Sequence, residues 1–298
     1  MKNLIFLILS SIFFLNCSKE STDLNPVVKD PVKLFEITNI KKSQDDVVIG
    51  HTISLTAVLT DSTGNINYEW SLFYNGQQVG QSKSGIGIKA VTTFPTSIGS
   101  YTVRLKITRG SFDSFSLETK FNSLESDFQF GVWGDTETTI KEAESNMGNS
   151  INGSLVGIPY VEPNNAGLTT VTYNKSGDFY TYYFKSGKLY AGAYTKGWSV
   201  QTGTVALTPY LYFLQEKTNL ENKIKAPLPE GKVWSGMATD ASQKAYYDQS
   251  NNNRALALGW GYLEFITSAT SSVGRCSLHL YNYKSVSKVY LEYILMAP

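Results

Sequence analysis

Cysteine is almost missing from this chain: 298 residues carry two, Cys17 and Cys276. So few thiols, so far apart, supply no disulfide framework. Cys276 alternates with Leu278 and Leu280, the setting of a buried inert thiol rather than a nucleophile. Histidine is as scarce, with only His51 and His279. Neither belongs to an HExxH pair or another ligand-spaced cluster, so no metal is expected. A charge surplus of either sign is lacking too. Beyond residue 16, 25 basic side chains stand against 25 acidic ones. Nothing is left over to neutralise phosphates, which argues against a nucleic-acid partner. A GxSxG elbow, a P-loop and a dinucleotide fingerprint are all missing, and no cofactor is implied.

What the chain does hold begins at its first residues. Lys2 supplies a positive start, Leu4 to Leu15 is apolar except for Ser10 and Ser11, and Asn16-Cys17 follows. That apolar run is too short for a permanent membrane span and reads as a signal peptide over residues 1–16. It resembles a bacterial lipoprotein signal. The resemblance implies that Cys17 becomes the first residue of the mature chain and carries acyl groups, palmitate among them. Ser18-Lys19-Glu20 resembles the Lys-acidic tract of Bacteroidota-type surface lipoproteins. The implied location is the outer membrane, lipid-anchored and exposed at the cell surface. Residues 17–33, with Pro26 and Pro31 among many polar side chains, form a flexible tether.

Residues 34–122 show alternation of period two. Ile53, Leu55, Ala57 and Leu59 alternate with polar residues, as do Ile66, Tyr68, Trp70 and Leu72, and Tyr101, Val103, Leu105 and Ile107. Each run predicts a strand with one buried face. Asp61 to Gly64, Asn75-Gly76 and Thr96 to Gly99 supply turns. Roughly seven such strands read as a two-sheet sandwich. Tyr68-Glu69-Trp70 and Gly99-Ser100-Tyr101 resemble the PKD and immunoglobulin-like domains of bacterial surface proteins, which implies a spacer or adhesive module. Trp70 is the expected indole between the sheets, and no site is read here.

Residues 127–298 change pattern to α+β. Gly134-Asp135-Thr136 caps a helix carrying Ile140, Ala143 and Met147 at helical spacing, and Gly148 stops it. Strands follow at 168–173, 179–185 and 188–194, with hairpin turns at Ser176-Gly177 and Ser186-Gly187. Thr208-Pro209 then caps a second helix with an apolar stripe of Phe213, Leu214, Leu220 and Ile224, ended by Pro227. Strands resume at 244–247, 255–267, 275–283 and 288–296. A helix followed by an antiparallel meander, twice over, indicates an internal duplication into 127–198 and 199–298. "GDTETTI" (Gly134 to Ile140) with "YTYYFKSGKL" (Tyr180 to Leu189) resembles the β-lactamase-inhibitor-protein fold, in which helices back a sheet whose open face binds proteins. The fold class expected is mainly β with α+β.

Aromatics are abundant, at 13% with 19 tyrosines. Tyr180, Tyr182 and Phe184 share one strand face, and Phe179 and Tyr183 the other. Rings of this kind stack on sugars or anchor interfaces, or simply fill a core. Tyr180, Tyr182, Trp234 and Trp260 are the candidate ligand-binding residues, and His279 is expected to be exposed. No catalytic residue is identified, because Glu216, Glu221, Glu264 and Glu292 cannot be paired from sequence. Three functions stand in order. A surface-anchored, non-catalytic binding module for a glycan or protein comes first. A structural or accessory subunit of an outer-membrane complex is second, and an extracellular glycan hydrolase third.

Overall fold

The computed structural model describes residues 35–110, 113–151, 167–199, 207–229, 231–234, 263–283 and 288–298. The fold is mainly β, with two helices among these residues. Its N-terminal strands are β1 (Ile37–Lys42), β2 (Asp46–Val48), β3 (Ile53–Leu59), β4 (Ile66–Tyr74), β5 (Gln77–Ile86), β6 (Ala90–Thr93), β7 (Gly99–Arg109) and β8 (Asp113–Leu124). They form two sheets, ordered β1-β3-β6 and β2-β8-β7-β4-β5. The alternating residues of β3, β4 and β7 meet between them. Ile53, Leu55, Ala57, Ile66, Tyr68, Trp70, Tyr101, Val103, Leu105 and Ile107 are all buried in one core. Trp70 is the inter-sheet indole, and its Nε1–H donates to Ile88 O at 2.9 Å. Tyr101 is fully buried, and its hydroxyl accepts the Thr96 and Ser97 amides at 3.0 and 2.9 Å. That pair of bonds pins the turn that enters β7. Asn75 and Gly76, both at positive φ, make the tight turn that joins β4 to β5.

The C-terminal elements are α1 (Glu137–Asn146), β9 (Leu168–Lys175), β10 (Asp178–Lys185), β11 (Lys188–Ser199), α2 (Leu207–Ile224), β12 (Gly231–Trp234), β13 (Leu263–Ser271), β14 (Gly274–Tyr283) and β15 (Lys288–Met296). Thr136 Oγ1 caps α1 by accepting Thr139 N–H at 3.2 Å, while Met147 and Gly148 (φ 79°) end it. Helix α2 begins at Leu207, before the expected Thr208 cap, so Pro209 falls within its first turn. A missing amide costs nothing there, since the first four amides of a helix have no helical partner. The strands form one sheet ordered β12-β13-β14-β15-β11-β10-β9. Each helix thus precedes a meander, and the two meanders join where β11 pairs antiparallel with β15.

Both helices lie on the same side of this sheet. Ile140 of α1 and Phe213, Leu220 and Ile224 of α2 share a core with Tyr182, Leu278, Leu291 and Leu295. The segment leading from β8 to α1 enters the same core through Phe128, which is 1% exposed. Contacts with the sandwich come from α1 and the segment before it. Asn146 donates to Gly50 O at 2.8 Å, and His51 Nε2 lies 2.7 Å from Phe130 O and 3.6 Å from Asp135 Oδ2.

Two expectations fail on the sheet. His279 is buried, at 7% exposure, and its ring stacks on Tyr281 at 4.3 Å. Tyr182 is fully buried rather than available to a ligand. Both stand on strands that are buried on their two faces, where alternation does not separate inside from outside.

Candidate functional site

On the helix-covered face of the sheet, β10, β11 and β15 are floored by aromatic rings. Tyr180 lies 5.1 Å from Tyr194, Tyr194 lies 5.1 Å from Tyr293, and Tyr293 lies 6.5 Å from Phe128. These rings converge because Tyr180, Tyr194 and Tyr293 occupy facing register positions on β10, β11 and β15. Gly192, two residues before Tyr194 on β11, leaves the room that Phe128 takes.

At the Tyr293 and Phe128 end of this floor is a cavity of about 610 Å³. One wall is the segment Glu125 to Gln129, and the other is α2 through Glu216, Asn219, Asn222 and Lys223, with Tyr293 and Leu295 below. On α2, Tyr212, Glu216, Asn219 and Lys223 follow a spacing of four, three and four residues, which places them along one helix face. Glu216 is the most informative wall residue. Burial raises its pKa above the ordinary carboxylate value, against the opposing hydrogen bonds of Asn219 and Tyr212 and the charge of Lys196. On the same wall burial lowers the pKa of Lys223, and the charges of Glu125 and Asp127 oppose that shift. Asp127 is committed to structure, since its Oδ2 accepts the Trp133 amide at 2.8 Å.

The outer end of the floor is held by a polar network. Tyr194 donates to Asp178 Oδ2 at 2.9 Å and lies 3.2 Å from the Tyr212 hydroxyl. Lys196 Nζ donates to both Asp178 oxygens at 2.9 and 2.8 Å. The same ammonium lies 5.2 Å from the Tyr212 ring centroid and 5.7 Å from that of Trp198. Burial pushes the Tyr180 hydroxyl up to about 12, with Asp178 adding to the shift. Tyr194 is pushed well above the ordinary phenol value, first by burial and then by its bonds to Tyr212 and Asp178. These phenols therefore stay protonated and act as hydrogen-bond donors at neutral pH.

Of the residues proposed from sequence, Tyr180 is half-buried at the outer end of the aromatic row and does not line the cavity. Tyr182 lies beneath it in the core, donating its hydroxyl to Glu144 Oε1. Trp234 has its backbone in β12, and its side chain lies outside the described residues, as do Trp260 and Cys17. Glu216, Asn219, Tyr212, Lys223 and Tyr293 were not singled out as a group. The polar spacing on α2, beside the apolar stripe of Phe213, Leu220 and Ile224, is the signal that carries them. Among the described residues no group of three or more His, Cys, Asp or Glu side chains is placed to hold a metal ion. No described helix is long and apolar enough to cross a membrane.

No family model matches the chain, and no curated protein does. Among solved structures, one from work on the promiscuous specificity of carbohydrate-binding modules of the β-sandwich superfamily is similar at 10% identity. It covers 90% of this chain and 93% of its own, with a TM-score of 0.27. The sporulation control protein Spo0M of Bacillus subtilis is similar at 9% identity over 82% of this chain and 78% of its own, with a TM-score of 0.19.

Proposed function

We propose that this protein is a surface-anchored, non-catalytic binding module whose ligand is a glycan held in the groove between α2 and the Glu125–Gln129 segment. The single observation behind the reading is that groove. Tyr293 at its base offers an aromatic ring to the C–H side of a sugar, and its carboxylate and amide walls match a sugar's hydroxyls. A concave site of about 610 Å³ suits a small saccharide better than a flat protein surface does. Glycan-array screening of the full mature chain, followed by calorimetric titration of the best hit, tests this. Glu216→Gln and Asn219→Ala should each weaken binding by about tenfold or more, as loss of a hydrogen bond to a charged or well-placed group does. Retention of no glycan, or full affinity in both variants, counts against the groove.

A hydrolase is the second reading, favoured by one feature: Glu216 is raised toward the protonated form and shares the groove with Glu125 and Asp127. Asp127 holds the Trp133 amide, and both acids sit near the Lys223 ammonium. No described contact sets either acid against Glu216 as an acid–base pair, so binding without turnover is the reading adopted. Incubation of the hit with the protein should leave its chromatogram unchanged.

Anchoring belongs to the same proposal. The three-part start and the polar tether support a lipid on Cys17 and a place on the outer membrane, since two or more acyl chains hold a protein stably. Intact mass of membrane-extracted protein should show an acylated chain beginning at Cys17. An unmodified soluble chain beginning after Cys17 overturns the anchor. An accessory subunit of an outer-membrane complex would share this anchor but not require the groove.

A further inference from the structure

The sandwich contains a cavity of its own. It lies between the two sheets, where β5 and β6 form their facing edges, and has a volume of about 270 Å³. Its walls are apolar: Leu55, Trp70, Leu72, Val79, Val91 and Val103. The charged residue on its lining is Lys83 of β5, and no carboxylate joins it there. Lys83 Nζ donates to Thr92 O at 2.6 Å, tying β5 to β6 across the mouth. Outside the mouth, Lys83, Val91 and Thr92 also border a shallower depression lined by Ser54, Ser84, Ile88 and Ala90.

We propose that this slot is a second ligand site, taking the apolar tail of a small amphipathic carboxylate while the Lys83 ammonium at the mouth holds its head. An apolar cavity inside a close-packed interior leaves its lining short of contacts, which an aliphatic or aryl body restores. The cation on the lining selects the sign of the head group, because a carboxylate there meets an ammonium and no carboxylate of the lining. Lys83 already bridges the two edge strands at Thr92, so the opening is a narrow slot. That favours a small molecule over an added peptide strand. The site is independent of the groove between α2 and the Glu125–Gln129 segment, which lies on the seven-stranded sheet.

Calorimetric titration of the full mature chain with octanoate, and with octanol as the headless control, tests the proposal. Octanoate should bind saturably, one per chain. Lys83→Met should weaken octanoate by about fivefold while leaving octanol unchanged, the size of an exposed ion-pair contribution. Val91→Phe should fill the slot and abolish binding of both. If Val91→Phe disturbs the fold by circular dichroism, the exposed Lys83→Met decides alone. Absence of saturable octanoate binding up to about 5 mM, a weak limit for a specific small ligand, overturns the site. So does octanoate affinity that Lys83→Met leaves unchanged, or an equal loss for octanol.

Discussion

Replacing Gly192 with alanine should cost the helix-backed sheet about 3 kcal/mol or more, the upper end for overpacking a core. Gly192 sits in mid-strand on β11, and a Cβ there would fall within the ring of Phe128, against Cδ1, Cγ and Cε1. The ring cannot retreat. It stands edge-on to Tyr182 at 5.3 Å and to Tyr293 at 6.5 Å, and is 1% exposed. Phe128→Ala should cost about 3–5 kcal/mol by leaving a cavity in the same place. Because both changes act on one contact, the double variant should be more stable than the sum of the two predicts. Denaturant unfolding of the four proteins measures this. Strict additivity, or a Gly192→Ala variant within about 0.5 kcal/mol of the parent, as for a surface position, would show that Phe128 does not fill the sheet's centre.

The second large effect is a pH dependence. Glu292 on β15 is 4% exposed, and its Oε1 accepts the Tyr281 hydroxyl at 3.0 Å while Oε2 has no hydrogen-bond partner. Burial raises its pKa from 4.5 to about 7, against the smaller opposing effect of Tyr281. A raised carboxyl favours the fold while it is protonated. Below pH 4.5 the folded and unfolded chains both carry the proton, and its contribution is intact. Between 4.5 and about 7 the unfolded chain ionises first, so stability falls with rising pH and then levels off. The loss is about 3 kcal/mol at 1.36 kcal/mol per pK unit. Glu292→Gln removes this component and should be the more stable protein at pH 8, with little difference at pH 4.5. Parallel stability–pH curves for parent and variant would contradict the burial of an ionising carboxyl at this position.

Much of this architecture is legible in the residues themselves. The alternating runs of β3, β4 and β7 are the sandwich core, because each strand has one face in and one face out. Thr136 and Gly148 bound α1, and Ser176-Gly177 and Ser186-Gly187 make tight turns at positive φ. Reading fails where a strand has no solvent face. On β10, Thr181, Tyr182, Tyr183 and Phe184 are all 4% exposed or less, so no parity marks Tyr182 as core or Tyr183 as surface. His279 fails for the same reason, since burial on β14 covers both its own face and that of Leu278 and Leu280.

The groove was less legible because it joins residues distant in sequence. Its lining comes from the segment before α1, from α2 and from β15, and none of Tyr180, Tyr182, Trp234 and Trp260 is among the residues that line it. The sandwich slot shows the same limit: Val79 and Val91 belong to separate strands, and each reads as an ordinary strand residue.

Hydrogen exchange of the full mature chain, with and without the best glycan from the array, tests the central proposal most directly. Protection should rise in two separate stretches, residues 125–129 and the 212–223 face of α2, with that of β15 around Tyr293 rising beside them. Protection confined to the sandwich, or spread over the sheet without these two walls, would contradict the groove between α2 and residues 125–129 as the binding site.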